Sequence, residues 1–338
     1  MNTLLRKLRR PQRLPSTDLF FLNACGHRVA RAWKRAPITA HGLNCFVHGE
    51  AMLLVRSDTP EVMRAALEWP GRLAYIVDDD IAGAADSPGL PEDYRRRLAT
   101  FDATWHQPLI ARADLLVAAS DVLAQGLAGR ALVNRPQVQR IDPYWALPLA
   151  DQRHFAGLGQ GGELRIAHLG SGSHHGGLSA IAPAVAGLLD QDNAISFTYV
   201  AAEMVSAALE AHPRARRLAP RNWPRYRRWL SRARFHLALY PLTANRFDRA
   251  RSCNKLFEHA IAGAVGVYPQ DWAPAGMAGD GAILAPGEPA CWADTLASAV
   301  SRRHELAGMA ASATRSLSHH DTGTMQRAIW SDFFKIEI

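Results

Sequence analysis

The stretch from Phe235 to Tyr268, FHLALYPLTANRFDRARSCNKLFEHAIAGAVGVY, limits what this chain can fold into more than any other part of it. Phe235 to Tyr240 is a short apolar run stopped by Pro241, the length of a buried strand. A polar loop, Thr243 to Arg251, carries Arg246, Arg249 and Arg251. Ser252 stands where a helix N-cap belongs, and its hydroxyl oxygen can accept a first-turn N–H. The helix then runs to Gly263, a residue suited to a left-handed stop, and Ala264 to Tyr268 is the next buried strand.

At about 100° per residue, Cys253, Leu256, Phe257, Ala260 and Ile261 share one helix face, which packs on a sheet. Lys255 and Glu258 fall on the other side, near the N-terminus. Free N–H groups and a partial positive charge suit that end to a phosphate, and the nearby arginines add to it. An ionised carboxylate only accepts hydrogen bonds, so Glu258 suits sugar hydroxyls. Phosphate beside ribose describes a nucleotide. The competing reading is a solvated face with an i,i+3 lysine–glutamate pair.

The segment Pro241-Leu, Phe247-Asp-Arg-Ala-Arg-Ser252, Lys255-Leu-Phe-Glu258, Ala262-Gly263 resembles the donor-site signature of GT-B glycosyltransferases, in the large retaining family usually numbered four. The resemblance implies two Rossmann-like domains facing across a cleft and a nucleotide-diphosphate-sugar donor. It makes Glu258 the ribose ligand, and Arg251, Ser252 and Lys255 the diphosphate ligands. Many members carry a second glutamate eight residues earlier, near the transferred sugar. Here that position is Ala250.

The chain has 338 residues, enough for two domains, and a net charge of +8, which favours anionic partners. Arginine supplies most of the charge, in runs that read as scattered, with no nucleic-acid-reading motif. Cys25, Cys45, Cys253 and Cys291 are far apart, with no C-x-x-C, which argues against a zinc or disulfide framework and makes a reducing, cytoplasmic setting the expectation. The N-terminus, MNTLLRKLRRPQRLP, lacks the apolar core of a signal peptide. It reads as a basic tail, or as a peripheral contact with an anionic membrane, here the inner face.

Strands alternate with helices through the first half: Ala51–Arg56, a helix Pro60–Glu68, Leu73–Val77, a helix Pro91–Ala113, Leu115–Ala118, a helix capped by Ser120-Asp121, then Val138–Ile141. That alternation describes a parallel α/β layer. Leu73–Val77 ends in Asp78, Asp79 and Asp80, where ligands of such sheets collect. Three readings stay open for them: an acceptor-side cluster in which carboxylates raise one another's pKa and supply a base, a divalent-metal site, or an acidic turn. The resembled enzymes need no bound metal or other cofactor. Several carry a similar acidic stretch, followed by a strand like Asp114-Leu-Leu-Val-Ala-Ala-Ser120. Asp79 is then the catalytic candidate on the acceptor side, with Arg251 and Lys255 on the donor side.

Pro148 to Gly162 reads as a linker, dividing the chain into domains 1–150 and 160–338. Leu164–Leu169 is a strand running into Gly170-Ser-Gly-Ser-His174-His-Gly-Gly177 and then a helix, the order that lets backbone approach phosphate. The resembled family has a Gly-Ser-x-x-His loop here, which adds Gly170, Ser171 and His174 to the donor side. Taken alone, His174 and His175 are loop polarity, and adjacent histidines do not form a metal site. Ile195–Val200 is another strand. Arg221–Arg232 is basic and aromatic, a surface helix with an anchored tryptophan rather than a nucleic-acid stacking platform. A last helix, Thr324–Phe334, carries Trp330, Phe333 and Phe334 and is expected to pack back on the first domain.

The leading expectation is an enzyme moving a hexose-like sugar from a nucleotide-diphosphate sugar to a glycan or lipid-linked acceptor. The alternatives are a non-catalytic nucleotide-binding subunit and a nicotinamide oxidoreductase using the Gly170 loop.

Overall fold

The structure is a computed structural model and describes residues 14–30, 36–56, 59–87, 89–130, 136–170 and 174–338. It divides into two compact units. The first holds the described residues up to Ile81, with Ala99–Ala146 and Thr322–Ile338. The second holds Ala82–Leu98 and Leu147–Asp321. The division therefore differs from a single cut near residue 150. Residues 82–98 belong with the second unit, where Leu90 and Ala84 pack with Phe247.

The first unit contains a six-stranded sheet in sequence order: β1 (Thr39–Ala40), β2 (Cys45–His48), β3 (Ala51–Val55), β4 (Arg72–Val77), β5 (Leu115–Ala118) and β6 (Gln137–Arg140). From β3 to β6 the pairing is parallel. Every residue of β3 and β5 is buried, as is β4 from Leu73 onward. Strands covered on both faces have this unbroken apolar character. The sheet is not parallel throughout, since β1, β2 and β3 pair antiparallel. The β2–β3 hairpin turns through Gly49-Glu50, with Gly49 at φ +55° supplying the conformation a two-residue loop demands. Helix α1 (Pro60–Leu67) follows β3. Helix α2 (Asp121–Ala128) follows β5 and is capped by Ser120 Oγ, which accepts from Leu123 N at 3.3 Å. The last helix, Thr322–Phe334, lies in this unit. Trp330 Nε1 donates to Phe20 O at 2.9 Å, and Gln326 Nε2 donates to Leu19 O at 2.8 Å and Asp142 O at 2.7 Å.

The second unit is a wholly parallel six-stranded sheet, ordered β12-β11-β10-β7-β8-β9. Its strands are β7 (Leu164–His168), β8 (Ile195–Val200), β9 (Ala215–Leu218), β10 (Leu237–Leu239), β11 (Val265–Pro269) and β12 (Ala282–Ala285). The chain leaves β7 toward β8 and β9, then returns to build β10 to β12 on the other side. The order reverses between β7 and β10, and open α/β sheets bind ligands outside the carboxyl ends at such a reversal. Helix α3 (His175–Gln191) lines the core with Leu178, Ile181, Val185 and Leu189. The other helices used below are α4 (Trp223–Leu230), the one-turn α5 (Arg246–Arg249) and α6 (Asn254–Ile261).

The stretch 148–162 is a packed part of this unit rather than a free linker. Phe155 and Leu158 are buried in the core, His154 Nε2 donates to Phe235 O at 2.9 Å, and Gly157 and Gly161 turn at φ +83° and +84°. No described helix is long and apolar enough to cross a membrane. The basic segment 1–13 lies outside the described residues.

Gly177 decides how α3 meets β10. A Cβ there would stand 2.0 Å from the Pro241 carbonyl oxygen. This glycine serves close helix–strand packing, the part a third glycine plays in nucleotide-binding βα turns. Gly177→Ala is expected to destabilise the second unit by about 1–3 kcal/mol through overpacking. A lower urea midpoint would show it, and an unchanged midpoint would contradict the packing account.

Candidate functional site

The site lies in the second unit, where the carboxyl ends of β7 and β10 meet the N-terminal ends of α3 and α6. The N-cap of α6 is Cys253, without a side-chain cap, and Ser252 is one residue earlier and half-buried. Gly263 does stop the helix region in the left-handed conformation, at φ +75°. The polar loop before it is partly folded. Asn245 Oδ1 accepts from Asp248 N at 2.8 Å to cap α5, and Asp248 Oδ2 accepts from Thr243 N at 2.9 Å and Thr243 Oγ1 at 2.6 Å. This arrangement sorts the three arginines. Arg246 and Arg249 are exposed. Arg251 turns inward, its guanidinium carbon 4.0 Å from the Phe247 ring centroid and its Nε 3.6 Å from Asp248 Oδ1.

Lys255 and Glu258 are not on a solvated face. They are only 7% and 3% exposed, although they do lie opposite the sheet-packing residues. The reason is that α6 is covered on both sides. Lys255 Nζ donates to the Leu169 carbonyl, just past the end of β7, and to Glu258 Oε2. The other carboxylate oxygen, Oε1, accepts from Tyr226 OH on α4 at 2.5 Å. Burial of a charge is tolerable only when it is paired and hydrogen-bonded, and both are here. Burial and the neighbouring Glu258 carboxylate push the Tyr226 hydroxyl pKa well above its usual value, so it stays a donor.

Three histidines surround the lysine. His168 ends β7 and is 2% exposed, and neither of its ring nitrogens has a hydrogen-bond partner among the described residues. His174 lies across from it, ring centroids 6.5 Å apart. A Cβ on Gly170 would stand 2.3 Å from His168 Cε1 and 2.8 Å from His174 Cβ, so the first glycine of the loop makes room for these rings. His259 stacks on Tyr268, and its Nδ1 is 3.0 Å from Tyr268 OH. Burial, reinforced by Lys255, lowers the His168 pKa to about 3. It carries His174, beside Arg251 and Lys255, and His259, beside Lys255, well below the ordinary value. The rings are neutral at physiological pH. Lys255 and Arg251 are then the fixed positive charges of this cluster.

A cavity of about 780 Å³ opens beside His168, at the carboxyl ends of β7 and β8. Its walls include His175, Val200 and Glu203, with Tyr94 and Arg97 from residues 82–98. The structure thus brings Gly170, His174, Arg251, Ser252, Lys255 and Glu258 to one neighbourhood. Ser171 lies outside the described residues. Asp78, Asp79 and Asp80 lie in the first unit, after β4. Arg56, following β3, approaches Asp79 at 3.5 Å and Asp78 at 3.8 Å, and Ser16 Oγ donates to Asp78. Asp80 is buried. These carboxylates form a partly neutralised cluster.

Sequence reasoning missed Tyr226, His168, His259 and Arg56. The available signal for His168 was a polar residue ending an apolar strand, the pattern that singled out Asp78. Nothing in the linear order signals that Tyr226, 32 positions away, reaches Glu258.

No protein-family model and no curated protein matches the chain. Solved structures share its fold. Anabaena HepE, in complex with UDP and glucose, is 13% identical, with a TM-score of 0.55 over 84% of this chain and 78% of that one. The pneumococcal O-GlcNAc transferase GtfA, in complex with UDP and GlcNAc, is 10% identical, with a TM-score of 0.56 over 88% of this chain and 63% of that one. An α,α-trehalose 6-phosphate synthase from Burkholderia multivorans is 12% identical, with a TM-score of 0.54 over 83% and 70%. At these identities the likeness defines the fold: a two-unit α/β architecture of the GT-B class.

The neutral histidines make stability depend on pH. In the second unit His154, His168, His174, His236 and His259 all have pKa values lowered chiefly by burial, His236 to about 4. Unfolded, they titrate near 6.5. Below that value the unfolded chain binds more protons than the folded one. Their contribution is therefore complete above about pH 6.5 and is lost as pH falls toward the folded values, with a limiting slope of about 1.4 kcal/mol per pH unit for each histidine. Urea midpoints are expected to drop steeply from pH 6.5 to 5. A flat profile there would mean these rings are not buried as neutral groups.

Proposed function

We propose that the chain is a glycosyltransferase taking a hexose-like sugar from a nucleotide-diphosphate-sugar donor to a glycan or lipid-linked acceptor, with retained anomeric configuration. The observation that carries this reading is the two buried basic side chains, each held by a carboxylate, at the sheet's reversal point. Lys255 is tied to the end of β7 and Arg251 turns in from the loop, and a cavity of a size to hold a nucleotide sugar opens at His168, at the same end of the sheet. Two solved structures with the same fold were determined with UDP and a sugar, which supports the donor class.

In the proposed reaction the bond between the anomeric carbon and the diphosphate oxygen breaks. An acceptor hydroxyl oxygen bonds to that carbon on the face the diphosphate leaves, and its proton passes to the departing diphosphate oxygen. Negative charge grows on the departing diphosphate, where Lys255, Arg251, Ser252 and the N–H groups opening α6 are placed to receive it. Preorganised charge of this kind supplies a large share of many rate enhancements. Gly170, Ser171 and His174 line the donor. Glu258 holds the ribose, for which the ribose hydroxyl takes the place of Tyr226 OH on the carboxylate. Asp79, with Asp78 and Asp80, serves the acceptor side. No metal or other cofactor has a part in this scheme.

A second reading, a non-catalytic nucleotide-binding subunit, draws on Ala250. This alanine is 1% exposed where the resembled family carries a sugar-side glutamate. Incubation with a panel of nucleotide sugars separates the two. Transfer or donor hydrolysis supports the enzyme, and binding without either supports the subunit.

Glu258→Ala is expected to weaken nucleoside-diphosphate binding by tenfold or more, the order of a lost charged hydrogen bond of about 1.5–3 kcal/mol. Lys255→Ala is expected to lower turnover more than it lowers binding. Calorimetry and initial rates on folded variants check both, and wild-type nucleotide affinity in both variants would defeat the assignment.

A further inference from the structure

One stretch of the chain is basic without any acidic counterpart. Residues 211–235 contain nine arginines and no lysine, aspartate or glutamate. The whole chain carries +8, so everything outside this stretch sums to −1. The stretch comprises the edge strand β9, helix α4 and the turns around them.

Arg216, Arg221, Arg225, Arg228 and Arg232 are exposed there, and none is paired with a carboxylate among the described residues. Arg225 and Arg228 lie three apart on α4, on one helical face, and Arg232 follows in the turn just past the C-cap Ser231. The other side of α4 is held down. Trp223, Tyr226 and Trp229 form a row with centroids 6.3 and 5.7 Å apart, Tyr226 OH is fixed to Glu258, and Leu230 is buried. Arg225 and Arg228 are therefore presented by a rigid element, with Arg221 and Arg232 in the turns at its two ends.

The form of the surface selects among anionic partners. It consists of a helix face and a sheet edge, whereas a small anion is held in a concavity. Its arginines line none of three cavities formed by the described residues of the second unit. Single-stranded nucleic acid needs open aromatic faces for its bases. Here Arg221 lies 4.9 Å from the Trp229 ring centroid, Arg227 lies 5.7 Å from that of Trp223, and Tyr226 sits between the two. An extended plane of phosphates remains as the complementary surface. We propose that this arginine face docks the chain on a bilayer containing anionic phospholipid. Guanidinium groups pair well with phosphate, and each basic residue near such a surface strengthens binding about fivefold, or about 1 kcal/mol. The proposal is independent of the donor-site reading and of segment 1–13.

The test is co-sedimentation of the full chain with phosphatidylcholine vesicles made with and without phosphatidylglycerol. Binding is expected to the anionic vesicles alone and to weaken as salt is raised. The triple substitution Arg225→Gln, Arg228→Gln, Arg232→Gln is expected to lower partitioning on the order of a hundredfold, with the thermal melt unchanged. Lysine at the same three positions should retain most of the binding. Equal binding to neutral vesicles, wild-type binding by the glutamine variant, or tighter binding to a mixed-sequence oligonucleotide than to anionic vesicles at the same salt would each overturn the proposal.

Discussion

A buried ion pair governs the second unit. Lys255 and Glu258 sit one turn apart on a helix that is covered on both sides, and neither charge could remain there alone. Each is satisfied by a different element: the lysine by the carbonyl just past β7, the glutamate by the hydroxyl of Tyr226 on α4. The pair thus joins the end of a central strand, the helix after β10 and the helix before it. It also reinforces the protonation state of its surroundings: burial chiefly keeps His168, His174 and His259 neutral, and the nearby ammonium adds to it.

The same polarity organises both sheets. Strands buried on both faces leave no place for charge along their length, so polar chemistry collects where they end. In the first unit Leu73–Val77 runs into Asp78–Asp80, with Arg56 leaving the neighbouring strand to meet them. In the second, β7 ends at His168 and passes at once into the glycine loop. Glycine there relieves crowding. Gly170 accommodates the His168 ring and the Cβ of His174, and Gly177 lets α3 lie against the Pro241 carbonyl.

Most of the architecture was legible because buried parallel strands announce themselves as unbroken apolar runs. Ala51–Val55, Leu73–Val77, Leu115–Ala118, Leu164–His168, Ile195–Val200 and Val265–Pro269 all stand where such runs occur. Strands β2 and β9 were not legible. The first is a four-residue hairpin arm, and the second, Ala-Arg-Arg-Leu, is an edge strand whose middle residues face solvent. Charged side chains are one way in which an exposed sheet edge is kept from pairing with another chain. The stretch 148–162 has linker composition, yet Phe155 and Leu158 hold it to the core, a tertiary fact that composition does not encode. At the site, the spacing of Lys255 and Glu258 and the helix that carries them could be read directly. Their burial could not, because it depends on α4 folding over them from a distant part of the sequence.

A double-substitution cycle on Lys255→Met and Glu258→Gln, followed by urea unfolding, tests the central claim most directly. Each single change strands a buried charge or its partners and should cost about 3–5 kcal/mol, whereas the double variant, with neither charge present, should be more stable than the sum of the two losses allows by at least about 1 kcal/mol. Strictly additive losses would show that the two groups do not depend on each other, and would contradict the account.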